Sequence, residues 1–226
     1  PLETQELYKP NEPLSFQLTL IGKAVEYLPY FIYTFERLGR ERGIGRGRGR
    51  FEMERVTWVD AEDVPKAIYD GKRKVLTNSF RPLSLSQFRS STLPQNSNLA
   101  TLHYLTPTRI TYNGQLHTAS DFHVVIRNLL RRLSNLAYFH CGAELNLDFK
   151  GLIERAKSVE THNGHVRWHD WERYSARQDT RMKMGGFVGK VDYQGNLAEF
   201  FPLLKLGERV HVGKGTALGL GRYRFI

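Results

Sequence analysis

Leu14, Phe16, Leu18 and Leu20 alternate with Ser15, Gln17 and Thr19 near the start of the chain. Successive side chains of an extended backbone face opposite ways, so this two-residue period predicts a half-buried strand. After Gly22 the period lengthens. Val25, Leu28, Phe31, Ile32 and Phe35 share one helical face, and Gly39 ends the helix. A second strand is expected in RFEMERVTWV, residues 50–59. The stretch LTNSFRPLSLSQFRSSTLPQNSNLA that follows is Ser-, Asn- and Pro-rich and reads as a long irregular excursion.

Helical spacing returns with Phe122, Val125, Ile126, Leu129, Leu133 and Leu136, for which Ser120 or Asp121 can serve as N-cap. Arg127, Arg131 and Arg132 lie on its other faces. VRWHDW and FVGKVDY then have strand character, with Phe187, Val191 and Tyr193 on one side and YQGN as a turn. LAEFFPLLKLGERV predicts a helix that Pro202 either kinks or begins. Tyr223 and Phe225 alternate with Arg222 and Arg224 in a terminal strand. Laid end to end, the elements give an α+β chain in the order βαββαβ. That is a ferredoxin-like (RRM-like) domain over residues 1–226, with a helical and irregular insertion at about 70–160. Such a fold hosts enzymes and RNA-binding modules alike, so it does not fix function.

Charge narrows the partner. The 226 residues carry 33 Lys and Arg against 23 Asp and Glu, a formal charge of +10 that favours a polyanion, with nucleic acid foremost. The single cysteine, Cys141, excludes an intrachain disulfide, a zinc ribbon and a redox pair, and fits a reducing cytoplasmic setting. No apolar run approaches the ~20 residues of a membrane span, and the first residues lack the layout of a signal peptide, so no membrane partner is expected.

Two glycine-rich stretches carry candidate chemistry. In RERGIGRGRGRF, Arg46, Arg48 and Arg50 are interleaved with glycines, which let the backbone approach a ligand while the guanidinium forks take phosphate oxygens. The same composition also describes a solvated linker. The terminal GKGTALGLGRYRFI combines Gly213, Gly215, Gly219 and Gly221 with Lys214 and Arg222. It is not a nucleotide P-loop. Gly207 lies one residue too far from Gly213 and Lys214, Gly215 stands where Ser or Thr should bind magnesium, and the loop follows a helix instead of preceding one. His162, His165 and His169 have helical spacing on a segment that reads as a strand, so no metal site is expected. Trp168, Trp171 and Tyr174 suit base stacking or a core.

The segments LKLGERVHVGKGTALGLGRYRF and GGFVGKVDYQGNLAEFFPLL resemble the C-terminal signature of the CRISPR-associated repeat-RNA-processing endoribonucleases of the RAMP superfamily. FQLTLIGKAVEYLPYF and GIGRGRGRFEMERV resemble earlier parts of the same domain. The resemblance implies cleavage of CRISPR repeat RNA without metal or other cofactor, by attack of a ribose 2′-hydroxyl on the adjacent phosphate. It also implies a first ferredoxin-like domain that supplies a histidine, and this chain, lacking an initiator Met, reads as beginning at the second. His211 and Lys214 are the catalytic candidates within the chain. The RNA-binding candidates are Gly213, Lys214, Gly215, Gly219, Gly221, Arg222, Arg46, Arg48 and Arg50. CRISPR repeat RNA is the expected partner, with other effector subunits and a second copy of the chain as further candidates. The alternatives are a RAMP subunit that holds crRNA without cutting it and a small-nucleotide-binding enzyme.

Overall fold

A computed structural model describes residues 7–45, 47–84, 87–88, 98–117, 121–175 and 179–226. The chain divides into two compact units, one formed by Leu20–Ser91 and the other by Pro1–Thr19 with Thr92–Ile226. No helix among the described residues is long and apolar enough to cross a membrane.

In the Leu20–Ser91 unit, a 3₁₀ turn at Gly22–Tyr27 leads into helix α1, Leu28–Arg37, with proline in its first turn where no N–H is needed. Ile32 is buried, and Val25, Leu28, Phe31 and Phe35 are half-buried, as the helical spacing requires. Three antiparallel strands follow: β1, Arg55–Val59; β2, Pro65–Asp70; and β3, Val75–Leu76. The strand expected at 50–59 therefore occupies only its second half. Asp60 shapes the β1–β2 turn, its carboxylate accepting from the N–H groups of Glu62 at 3.1 Å and Val64 at 2.9 Å.

The second unit is built on a four-stranded antiparallel sheet. Its strands are β4, Leu99–Thr108; β7, Glu160–His169; β10, Gly186–Gln194; and β11, Tyr223–Phe225, in the spatial order β11-β4-β10-β7. Between β4 and β7 come the hairpin β5–β6, Ile110–Tyr112 and Gln115–His117, then helices α2, Phe122–Leu136, and α3, Phe149–Ala156. The hairpin β8–β9, Glu172–Ser175 and Thr180–Lys183, links β7 to β10, and helix α4, Phe201–Val210, links β10 to β11.

One face of the sheet is covered. Ala100, Leu102 and Tyr104 of β4, Phe187, Val191 and Tyr193 of β10, and Tyr223 and Phe225 of β11 all point into the core. Phe122 of α2 meets Tyr193 at 5.0 Å and Phe200 at 5.1 Å between ring centres, while Phe201 of α4 meets Phe225 at 5.1 Å. Both helices thus pack on the same face. Gly207 lets α4 approach β11, because a Cβ there would strike the Tyr223 hydroxyl, which donates to the Leu204 carbonyl at 2.7 Å. Truncating a fully buried member such as Leu129 to Ala removes ~2–5 kcal/mol.

Several sequence expectations change here. Residues 14–20 enter none of the described ladders, and Leu14, Phe16 and Leu18 are exposed. Alternation gives a segment the capacity to pair, but a strand forms only where a neighbour takes its N–H and C=O groups. Residues 70–160, expected as an insertion, supply β4 at the sheet's interior and the core helix α2. The pattern of β4 is muted because its inward set includes Ala100 and Tyr104 while Leu99 and Leu105 face out. Asp121 is the N-cap of α2, yet its side chain makes no capping bond, and Ser120 lies outside the described residues. Pro202 sits in the first turn of α4 and does not kink it.

Candidate nucleic-acid interface

The terminal glycine loop begins where α4 stops. His211 caps the helix with φ 63° and ψ 170°, a conformation nearly confined to glycine, and its N–H still donates to the Gly207 carbonyl at 2.8 Å. The loop closes on itself as Val212 N–H donates to the Gly221 carbonyl at 3.0 Å. Within it, Leu218 N–H reaches Gly215 O at 2.9 Å and Gly219 N–H reaches Thr216 O at 3.1 Å, forming one 3₁₀ turn that seats Leu220 in the core.

This loop is sewn to the end of β4. Lys214 N–H donates to Arg109 O at 2.9 Å and Gly221 N–H to Pro107 O at 3.1 Å. The Thr106 hydroxyl donates to Gly219 O at 2.9 Å and accepts from Arg222 N–H at 2.9 Å. Gly213 and Gly221 have φ 89° and 72°, and a Cβ on them would collide with the Arg109 and Val212 carbonyls respectively. Gly219, at φ 82°, has open space around it. Among the described residues, the N–H groups of Gly213 and Gly215 meet no main-chain acceptor, Lys214 is exposed and Arg222 half-buried. Bare N–H groups and cations thus share one loop, an arrangement that suits a phosphate.

His211 is half-buried beside the loop. Burial, then the positive charge of Arg222, pulls its pKa from 6.5 down to about 4, so the imidazole is neutral at pH 7. Arg132 also lies near enough to oppose its protonation, while its Nε donates to Val210 O at 2.8 Å.

The uncovered face of the sheet adds charge that sequence reasoning did not single out. Register places Arg224 opposite His103, His103 opposite Lys190, and Lys190 opposite His165, a cationic and imidazole row across four strands. Partial burial, then Lys190 and Arg224, holds His103 below the usual histidine range. Arg109 was also missed. Its Nη1 donates to the Lys183 carbonyl of β9 at 3.0 Å, joining that hairpin to the glycine loop, and its buried Nε has no described partner. No local motif marks it, because its role comes from three segments distant in sequence.

The remaining candidates belong to other segments. His162, His165 and His169 are on β7, and no group of metal-binding side chains occurs among the described residues. Trp168 is exposed, its Nε1 donating to Asp170 at 2.8 Å; the Tyr174 side chain lies outside the described residues. In the other unit, Ile44 and Gly49 exchange N–H···O bonds of 2.9 Å. Arg48, at φ 48°, and Arg50 are exposed, and Arg46 lies outside the described residues.

A family model described as CRISPR-associated endoribonuclease Cas6 matches residues 102–223, and a second, described as an N-terminal domain, matches residues 1–80. No curated protein matches the chain. Among solved structures, a Thermus thermophilus Cas6 is 18% identical, with 64% of this chain covering 58% of that one at a TM-score of 0.49. A partial Cas6-RT-Cas1–Cas2 complex is 14% identical over 88% of this chain and 33% of its own, at a TM-score of 0.50. The chain therefore spans somewhat more than half the length of the Thermus protein.

Proposed function

Since the chain belongs to the CRISPR-associated endoribonuclease Cas6 family, we propose that it binds CRISPR repeat RNA and serves its endonucleolytic processing, with a phosphate seated on the terminal glycine loop. In this reading the sheet ordered β11-β4-β10-β7, with α2 and α4 on one face, is a ferredoxin-like unit running from about Leu99 to Phe225. The observation that carries the proposal is the loop's construction. Gly213 and Gly215 present N–H groups without main-chain acceptors beside the exposed Lys214, while bonds to Thr106, Pro107 and Arg109 hold the loop in place before any ligand arrives.

The reaction is attack of the ribose 2′-oxygen on the adjacent phosphorus. The 2′-hydroxyl gives up its proton, the bond to the 5′-oxygen breaks, and that oxygen takes a proton, leaving a 2′,3′-cyclic phosphate and a 5′-hydroxyl. Lys214 offsets the charge that builds on the phosphoryl oxygens. His211, neutral at pH 7, caps the helix and sets the start of the loop. Incubating the protein with repeat RNA in excess EDTA tests this scheme. Products ending in cyclic phosphate support it, and cleavage that depends on added divalent metal overturns it.

A second reading, crRNA binding without cleavage, is favoured by one observation. The histidine beside the loop has its pKa pulled down to about 4 by burial and by Arg222, which makes it a poor proton carrier at neutral pH. Tight repeat binding with no cleavage by the purified chain would select this reading.

A further inference from the structure

On the helical side of the Thr92–Ile226 unit, a groove of about 730 Å³ runs between the β5–β6 turn, α2 and α3. Arg127, Arg131 and Lys150 line it, and none of the three has a described carboxylate within salt-bridge distance. Glu154 also borders the groove, but both of its oxygens are taken by Lys157 Nζ at 2.8 and 2.9 Å. A helix-surface arginine is ordinarily a solvated charge. These two are held.

The Arg127 guanidinium lies over the Tyr112 ring, 5.6 Å from its centre, and the ring is itself braced edge-on by His117 and His123. Arg131 donates from Nη2 to Asn128 Oδ1 at 3.1 Å. Asn128 is buried, and its amide nitrogen donates to Val124 O at 2.9 Å and Thr111 O at 3.4 Å. A buried amide with both ends engaged fixes the guanidinium it contacts. Arg127 and Arg131 stand one turn apart on the exposed edge of α2, whereas Arg132 turns to the Val210 carbonyl at the end of α4. The helix thus sends separate cations to the groove and to the neighbourhood of the glycine loop.

We propose that this groove is a second RNA site, which takes the phosphodiester backbone of single-stranded RNA on Arg127, Arg131 and Lys150. The proposal rests on the reading of this chain as an RNA-binding protein. RNA is favoured over an acidic peptide because a guanidinium plane braced on an aromatic ring offers a stacking surface for a base next to the phosphate-binding forks. The site lies apart from the glycine loop, so it holds RNA beyond the phosphate seated there.

The test uses the whole chain and single-stranded RNA carrying 4-thiouridine at successive positions. Affinity is measured over a range of salt for wild type, Arg127→Ala/Arg131→Ala and Lys214→Ala, and crosslinked peptides are mapped by mass spectrometry. Both arginines are exposed, and circular dichroism and a urea midpoint check that the double variant, which removes the Arg131 partner of Asn128, keeps its fold. Wild type is expected to crosslink within α2 or the start of α3. Each phosphate contact on single-stranded RNA contributes ~0.7 to the slope of log affinity against log salt, so the double variant is expected to lose about 1.4. Arg127→Lys/Arg131→Lys is expected to restore the slope while losing the α2 crosslink. An unchanged slope in the alanine variant, or crosslinks confined to other segments, overturns the groove and leaves the glycine-loop reading intact. Absence of RNA binding by wild type overturns both.

Discussion

The main-chain N–H of Lys214 donates to the carbonyl of Arg109 at 2.9 Å. The charged residue of the glycine loop is therefore placed by the end of β4, and through Arg109 Nη1 and the Lys183 carbonyl by the β8–β9 hairpin as well. Arg109→Ala should lower RNA affinity by more than one phosphate contact explains, because it frees the hairpin in addition to removing a charge. Arg109→Lys should keep the charge but recover only part of the affinity, since an ammonium cannot copy the planar fork. Equal affinities for the lysine variant and wild type would show that the bridge does not matter.

The glycines rank by what surrounds them. Gly221→Ala and Gly213→Ala each place a Cβ against a carbonyl and force a positive φ, so both should destabilise the fold by at least the ~1–2 kcal/mol of the backbone term alone. Gly219→Ala meets open space and should cost only that term. If Gly219→Ala weakens RNA binding more than its shift in urea midpoint accounts for, close backbone approach by RNA is the reason. If the two losses track each other across all three variants, the loop is a packing turn.

Thr106→Val removes a hydroxyl that both donates to Gly219 O and accepts from Arg222 N–H. Leaving these groups unsatisfied should cost ~1–3 kcal/mol, with the loss localised by faster amide exchange at Arg222. Protection at Arg222 equal to wild type would contradict this role.

Stability should fall in acid through His211. Its folded pKa, about 4, lies below the usual 6.5, so between those values the unfolded chain binds more protons and stability declines as pH drops. Above pH 6.5 the group is neutral in both states and contributes no slope. His211→Gln should flatten the stability profile between pH 6.5 and about 4, as read by urea denaturation at successive pH values. A profile as steep as wild type would assign the acid sensitivity to other groups.

Across the open sheet face, Lys190 and Arg224 both oppose protonation of His103. Lys190→Ala should raise the His103 pKa, measured by NMR titration of its ring. If RNA lies on this face, binding should also raise it, because phosphate neutralises the row. A titration curve unmoved by Lys190→Ala would remove the basis for treating the row as one electrostatic unit.

Period located α1, α2, β10 and β11, because each has an apolar set that declares its inward face: Phe122 to Leu133 in α2, and Phe187, Val191 and Tyr193 in β10. The net charge gives a polyanion as the expected partner, and the glycine spacing carries the resemblance to the family. Which segments would pair was another matter. Leu14 to Leu20 alternate more clearly than Leu99 to Thr108, yet β4 joins the sheet because β10 and β11 both hydrogen-bond to it. Pairing is decided by partners remote in the chain, and a local pattern carries no information about them. The same holds for chemistry. The sequence puts a histidine beside the glycine loop, but burial, Arg222 and Arg132 set its charge, and all three arise only when helix, loop and strand come together.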